Sequence, residues 1–345
     1  MTRFNWTVIG AGPAGIAAVG RLLDQGIAPE KIAWVDPDFA AGDLGAKWRA
    51  VHSNTQVWMF LSYLNASPSF RFDEAPAFEL RDVDPGETCL LGLVADPLVW
   101  ISEHLRERVI PFHTRATELY LQNREWTVET EQGAITSEKV ILAVGATPRK
   151  LTYPNLGEIP VDVALNSEKL AELSLDGATV AVFGSSHSTM IALPHLLNRP
   201  VEKVINFYRS PLRYAVPMDG WLLFDDIGLK GRAARWAREN IDGVYPERFD
   251  RLSIHSPEFQ DRLAQCDHVV YTVGFEPRQL PHTPQWGRLQ VNPTNGILAP
   301  GLFGFGIAFP EYYTDPLGHG QHAVGLHKFM RYLNTILPVW MIYAT

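Results

Sequence analysis

The chain has 345 residues, 46% of them hydrophobic and 20% charged, with a formal net charge of −8. That is room for two domains of about 100–200 residues each, and the acidic balance argues against a nucleic-acid partner, since phosphate binding needs a basic face. Two distant cysteines, Cys89 and Cys266, make neither a disulfide framework nor a metal site, and no run approaches the ~20 apolar residues of a membrane span. A first strand within a few residues of Met1 leaves no secretory leader, so a reducing, cytoplasmic setting is expected.

Trp6–Ile9 reads as a buried strand, and the helix expected over Ile16–Leu23 follows it. Between them lie Gly10-Ala-Gly12-Pro13-Ala14-Gly15. Gly10 suits a tight turn, Gly12 lets backbone approach a pyrophosphate, and Gly15 lets the helix pack on the sheet. The pyrophosphate would lie at the helix N-terminus, where free N–H groups and the dipole favour negative charge. A second strand, Lys31–Val35, ends in Asp36, 21 residues beyond Gly15, close to the ~20-residue offset of a carboxylate that holds ribose hydroxyls. An acid there disfavours a 2′-phosphate, so the site takes FAD or NAD(H). The alternative is a glycine turn in some other α/β protein.

Further along, a helix is expected over Ala95–Arg108, with Leu98, Ile101, Leu105 and Val109 on one stripe, and an alternating strand over Glu125–Thr130. Lys139–Pro148 reads as a buried strand with a small-residue turn. Thr179–Phe183 is another, entering Gly184-Ser185-Ser186-His187-Ser188-Thr189 and a helix through about Leu197. This second turn keeps only its first glycine; the small hydroxyl residues allow close approach and add donors, and a turn without a ligand is the competing reading. Its next strand, Lys203–Tyr208, ends in Arg209, and a guanidinium there suits a 2′-phosphate bidentately, with Arg213 to assist. The opposite strand endings assign FAD to the first site and NADPH to the second. With a closing strand over Val269–Pro277, the expected fold is α/β: two Rossmann-like (three-layer β/β/α) dinucleotide-binding domains. The NADPH domain, 151–277, is inserted into a split FAD domain, 1–150 and 278–345.

These features together resemble the two-dinucleotide-binding-domain flavoproteins, most nearly the flavin-containing and N-hydroxylating monooxygenases, over most of the chain. The residues carrying the resemblance are Gly10, Gly12, Gly15 and Asp36; the "ATG"-like turn Val144-Gly145-Ala-Thr-Pro148; Gly184–Ser188; Val273-Gly-Phe275; and Gly301–Gly306, similar to the turn that places the flavin. Gly42–Trp48 looks like the family's glycine-then-tryptophan segment, and Val51-His-Ser-Asn54-Thr55 like the stretch whose Asn faces the flavin. The resemblance therefore implies FAD contacts from Trp48, Asn54, Thr55, Gly145 and Gly306, and a catalytic role for Asn54. An amide both donates and accepts and stays neutral as charge shifts on the flavin; a helix cap before Val57–Leu64 is the other reading of Ser53–Thr55. The family's Phe-x-Gly-x-x-x-His signature is not present, Leu156–Asn166 standing in its place. No acid closes the Gly301–Gly306 turn, for which Glu311 or Asp315 are the nearest substitutes. No Cys-x-x-Cys occurs, which removes the disulfide-reductase branch.

The implied activity is that of an NADPH-dependent FAD monooxygenase acting on a small nucleophilic substrate and O2 through a C4a-oxygenated flavin. A reductase passing electrons to a quinone or protein carrier, and a FAD-binding protein without turnover, are the alternatives. Asp315-Pro-Leu-Gly-His319-Gly-Gln-His322 is expected to lead into a helix through about Leu333 whose N-terminus faces the flavin, with His319 donating or acting as an acid; a structural loop histidine is the competing reading. His319, His322 and His327 lack the spacing of a metal set, and no metal is expected. Lys230–Arg238 reads as an amphipathic helix in an aromatic insertion, Met218–Ile254, that is either a substrate wall or ordinary surface packing. The apolar tail Ile336–Thr345 reads as a buried end or as a subunit contact of a homodimer, with a peripheral membrane contact as the sharper alternative.

Overall fold

The computed structural model describes residues 3–287 and 289–343, so Ala344 and Thr345 of the apolar tail lie outside the described residues. By internal contacts the chain forms two units. The first gathers residues up to Arg49, Thr55–Ala146 and residues from Pro277 on; the second gathers Ala50–Asn54 and Thr147–Glu276.

The first unit opens with β1 (Arg3–Ile9), α1 (Pro13–Asp24) and β2 (Ile32–Val35), followed by α2 (Val57–Leu64), α3 (Leu91–Arg106), β3 (Ile110–Phe112), β4 (Ala116–Gln122), β5 (Glu125–Thr130) and β6 (Gly133–Leu142). In the second unit come β7 (Gly157–Glu158), β8 (Thr179–Phe183), α4 (His187–Leu197), β9 (Lys203–Tyr208), α5 (Gly231–Asn240), β10 (Phe249–Ser253) and β11 (His268–Tyr271). The chain then completes the first unit with β12 (Ile297–Ala299), β13 (Leu302–Gly304), β14 (Glu311–Thr314), β15 (Gly320–Ala323) and α6 (Leu326–Ile342).

In the first unit the sheet order is β12-β13-β6-β1-β2-β3, with β5 pairing the early part of β6 and β4 pairing β5. The inner pairs β13–β6, β6–β1, β1–β2 and β2–β3 are parallel, while β4, β5 and β6 form an antiparallel meander. β1 therefore lies between the strand its helix leads to and one reached much later in the chain. In open sheets of this kind ligands usually sit at such a reversal of strand order, beyond the carboxyl ends of the strands, here β1 and β6. The central strands are apolar without alternation, as expected of strands covered on both faces: Val8, Ile32, Trp34, Val140, Ile141 and Leu142 are all fully buried. The second unit has an all-parallel sheet of order β7-β11-β8-β9-β10. The mixed α/β class read from the sequence is the class observed.

Several boundaries differ from expectation. α3 starts at Leu91 rather than Ala95 and runs through Pro97, because the packed stripe Val94, Leu98, Ile101 and Leu105 outweighs one lost N–H. The strand expected over Val269–Pro277 breaks after Tyr271, where Gly274 takes φ +92°. Ser53–Thr55 do not cap α2: they lie in the strand His52–Gln56, and Gln56 is the N-cap residue.

The helix expected after His319 needs a larger correction. Asp315–Gly318 instead turns the chain between β14 and β15, which pair as an antiparallel hairpin, and α6 begins only at Leu326. Asp315 Oδ1 accepts from the backbone N–H of Leu317 and of His319, and Gly318 takes φ +87°. Asp-Pro-x-Gly is a turn signal, and it overrides the helical pattern downstream. The tail forms the end of α6: Trp340 is fully buried, stacks on Phe303 at 4.7 Å and donates to the Asn295 carbonyl. Lys139 Nζ donates to the carbonyls of Trp340 and Met341 at 3.0 and 2.6 Å, a cation on the carbonyl end of the helix. Among the described residues no helix is long and apolar enough to cross a membrane.

Candidate functional site

In the first unit the turn after β1 is built from backbone at close quarters. Gly10 has φ +109°, and a Cβ there would collide with the Ala143 carbonyl at the end of β6; a Cβ on Gly15 would collide with the Gly10 carbonyl. Gly12 is different, since a Cβ there would meet only Gly42 Cα, at 3.8 Å. Two glycines are thus needed by the fold itself, whereas Gly12 leaves its space clear.

Trp34 Nε1 donates to the Gly10 carbonyl at 2.9 Å and fixes the turn from the next strand. Pro13 and Ala14 form the first turn of α1, with Gly12 as N-cap and no capping side chain. The first-turn amides are then available to an anion, and the fixed φ of Pro13 suits this position. Tyr63, fully buried, donates to the Pro13 carbonyl at 2.6 Å.

Asp36 accepts backbone hydrogen bonds with both of its carboxylate oxygens. Oδ2 accepts from the Ala11 N–H at 2.7 Å, while Oδ1 accepts from Asp38 and Phe39 N–H at 2.9 and 2.8 Å. An ionised carboxylate has about four lone-pair positions, so these bonds hold the glycine turn and leave room for about one further donor, such as a ribose hydroxyl. Gly306, φ +84°, approaches α1 so closely that a Cβ would lie 2.5 Å from Ala14 Cβ. The Gly301–Gly306 turn and the first glycine turn are thereby brought together. Gly145 takes φ +77° with open space at its Cβ position, and its carbonyl accepts from the Arg278 N–H.

Arg278 was not found by sequence reasoning. Its Nη2 donates to Asp43 Oδ2 at 2.6 Å, so Arg278 links Gly145, which its backbone N–H bonds, to Gly42–Ala46. No local signal marks it, because its partner is 235 residues away. Trp48 is half-buried, and its N–H donates to the Asp43 carbonyl. Thr55 belongs to the first unit and Asn54 to the second; both are half-buried. His319 is exposed at the β14–β15 turn. Glu311 pairs with Arg331, and Asp315 bonds its own turn, so both acids serve the hairpin locally.

In the second unit Gly184 takes φ +136°, where a Cβ would collide with Thr272. α4 carries a complete capping box: Ser186 accepts from the N–H of Thr189, and Thr189 Oγ1 accepts from the N–H of Ser186. Thr189 Oγ1 also lies 2.7 Å from Thr272 Oγ1, which donates to the Phe183 carbonyl. Ser185 Oγ donates to the Ser210 carbonyl, tying the turn to the residue after Arg209. His187, the first residue of α4, has Nε2 at 3.0 Å from the His52 carbonyl. Burial pushes its imidazole below the usual range, so it is neutral at pH 7. Ser188 follows it, half-buried, and Arg209 is exposed beyond β9.

Comparison with known proteins agrees with this architecture. Residues 4–191 match the model of the pyridine nucleotide-disulphide oxidoreductase family. Monooxygenase AgnR1 of Paecilomyces divaricatus is 33% identical over 382 aligned residues, covering 97% of each chain. A flavin-containing monooxygenase from Stenotrophomonas maltophilia superposes with TM-score 0.66 at 16% identity over 99% of both chains. L-lysine 6-monooxygenase from Pseudomonas syringae gives 0.65 at 16% identity, covering 98% of this chain and 99% of that one. Thioredoxin reductase from Lactococcus lactis gives 0.58 at 13% identity, covering 99% and 98%.

Proposed function

The chain belongs to the pyridine nucleotide-disulphide oxidoreductase family, and from that premise we propose that it is an NADPH-dependent FAD monooxygenase acting on a small nucleophilic substrate with O2. The observation that carries the FAD reading is the contrast within the first turn. Gly10 and Gly15 are demanded by neighbouring backbone, while Gly12 is demanded by nothing in the chain. A glycine kept where the protein has room suits a group from outside approaching the backbone.

The first-turn amides of α1 would hold a pyrophosphate, Asp36 the ribose, and the Gly306 turn the remainder of the cofactor. When bound, FAD supplies the electron-carrying ring and the reactivity toward O2; the protein supplies orientation, electrostatics and exclusion of water. Asn54 keeps the catalytic role that the resemblance implies for it, as a neutral amide that both donates and accepts. His319, exposed in a hairpin turn, is assigned no proton transfer. Both cysteines are buried and unlinked by disulfide, and the chain has no Cys-x-x-Cys, which favours oxygenation over disulfide reduction.

In the second unit, the turn 184–188 would take the NADPH pyrophosphate and Arg209 its 2′-phosphate. Arg209→Ala is expected to raise KM for NADPH by roughly tenfold to a hundredfold, the scale of about 1.5–3 kcal/mol for a hydrogen bond to a charged group, with KM for NADH little changed. Equal losses for both nucleotides would remove the 2′-phosphate assignment.

The activity is tested on the purified yellow protein with NADPH, 18O2 and an alkyl aryl sulfide or amine panel. One 18O atom per oxidised product is expected. Reduction of a quinone without label in any product would favour the reductase reading, and a flavin that neither nicotinamide bleaches would favour a protein without turnover.

A further inference from the structure

We propose that Asn206 and Arg251 form a positioning device for the second-unit turn, setting how tightly it takes a nicotinamide nucleotide whether or not that nucleotide carries a 2′-phosphate. The proposal rests on the reading of 184–188 as the nicotinamide-nucleotide turn. Asn206 interrupts the apolar run of β9, an inner strand of an all-parallel sheet. It is fully buried, and a buried amide is costly unless its hydrogen bonds are made.

Here they are made to a purpose. Asn206 Nδ2 donates to the carbonyls of Val182 and Gly184, each at 2.9 Å, and Oδ1 accepts from Arg251 Nε at 3.0 Å. Arg251 stands opposite Asn206 in the β9–β10 register, and its guanidinium lies 3.8 Å from the centre of the Tyr208 ring. Packing on Tyr208 and the bond to Asn206 thus orient Arg251, and Arg251 orients the amide.

The consequence falls on one peptide plane. Gly184, at φ +136°, has no side chain to limit its backbone. In a trans peptide the C=O of Gly184 and the N–H of Ser185 point in opposite directions within the same rigid plane. Holding the Gly184 carbonyl toward Asn206 therefore aims the Ser185 N–H the other way. An amide at this turn serves the pyrophosphate, which NADPH and NADH share, so the device should act on both alike. Arg209, by contrast, acts on NADPH alone.

The holoenzyme is compared with Asn206→Leu, Arg251→Met, Arg251→Lys and the double variant Asn206→Leu/Arg251→Met. Hydrogen exchange at Gly184, Ser186 and Met190 without added nicotinamide nucleotide reads the turn directly, since all three amides are bonded within it or to β9. Exchange is expected to quicken at least about fivefold in Arg251→Met and Asn206→Leu. KM for NADPH and NADH should rise together, by roughly tenfold, the scale of one buried hydrogen bond. The maximal rate of flavin bleaching should stay within about twofold and the flavin spectrum should be unchanged. Arg251→Lys, which keeps a donor for Oδ1, should recover most of the affinity, and the double variant should be no worse than its worse parent, as for residues acting in series.

Unchanged exchange in both single variants overturns the proposal. So do additive losses, or a KM that stays at the wild-type value once exchange has quickened. If the wild-type protein itself shows no saturable dependence on either nicotinamide, the reading of 184–188 falls instead, while the exchange result still reports on the clamp.

Discussion

Gly10→Ala and Gly15→Ala are expected to abolish accumulation of yellow protein, while Gly12→Ala gives a well-folded protein that has lost its FAD. The first two put a methyl group into backbone carbonyls, of Ala143 and Gly10 respectively, and Gly10 also sits at φ +109°. Overpacking against backbone costs about 1–3 kcal/mol or more, and a strained φ about 1–3 kcal/mol more, a large share of the ~5–15 kcal/mol that holds a domain folded. At Gly12 the added methyl meets only Gly42 Cα, at ordinary contact distance, so the apoprotein should unfold at nearly the wild-type denaturant concentration. Its FAD affinity should fall by at least about a hundredfold, since on the proposed reading the pyrophosphate passes over Gly12 and a methyl would obstruct it. Flavin content from the absorption spectrum, with denaturation of the apoprotein, separates the two classes. A Gly12→Ala protein that keeps stoichiometric FAD would remove the assignment of the pyrophosphate to the first turn of α1.

Trp340→Ala should destabilise the first unit by about 3–5 kcal/mol, the scale of deleting a buried aromatic ring. Three losses coincide: the stack on Phe303, the Nε1 donor to the Asn295 carbonyl, and the volume of a fully buried indole between α6 and β13. Trp340→Phe keeps much of the packing and should cost less, with about 1 kcal/mol attributable to the hydrogen bond. Ile342→Ala, two residues on and 85% exposed, should lie within about 0.5 kcal/mol of wild type. Denaturant midpoints of the three variants test this. Equal effects at Trp340 and Ile342 would mean that the tail is held by something other than the ring.

The parts of the fold that could be read from sequence are those written in local pattern. Glu125–Thr130, Thr179–Phe183 and Lys203–Tyr208 are strands with the expected bounds, because apolar or alternating runs stop at turn residues. The glycines of 10–15 were legible for the same reason: their spacing is a local steric requirement. What was missed depends on partners far along the chain. Arg278 meets Asp43, Lys139 meets the end of α6, and Arg251 meets Asn206, and no window of sequence contains both members of these pairs. His319 lies in a hairpin and not at a helix start for a nearer reason: the Asp-Pro-Leu-Gly turn beside it decides the local backbone, and the helical periodicity takes hold only from Leu326. Asp36 was found by spacing, but its bonds to Ala11, Asp38 and Phe39 become visible only when the turn closes.

The two helix starts differ in a way that bears on traffic through the enzyme. α1 begins without a capping side chain, whereas Ser186 and Thr189 satisfy the start of α4 from within the chain. An end that satisfies part of its own hydrogen bonding loses less when a visitor departs than an end that has no capping side chain at all. With the proposed nucleotides in place, the start of α1 would suit a group that stays bound and the start of α4 one that is exchanged at each turnover, so prosthetic group and co-substrate would differ in which helix can stand empty.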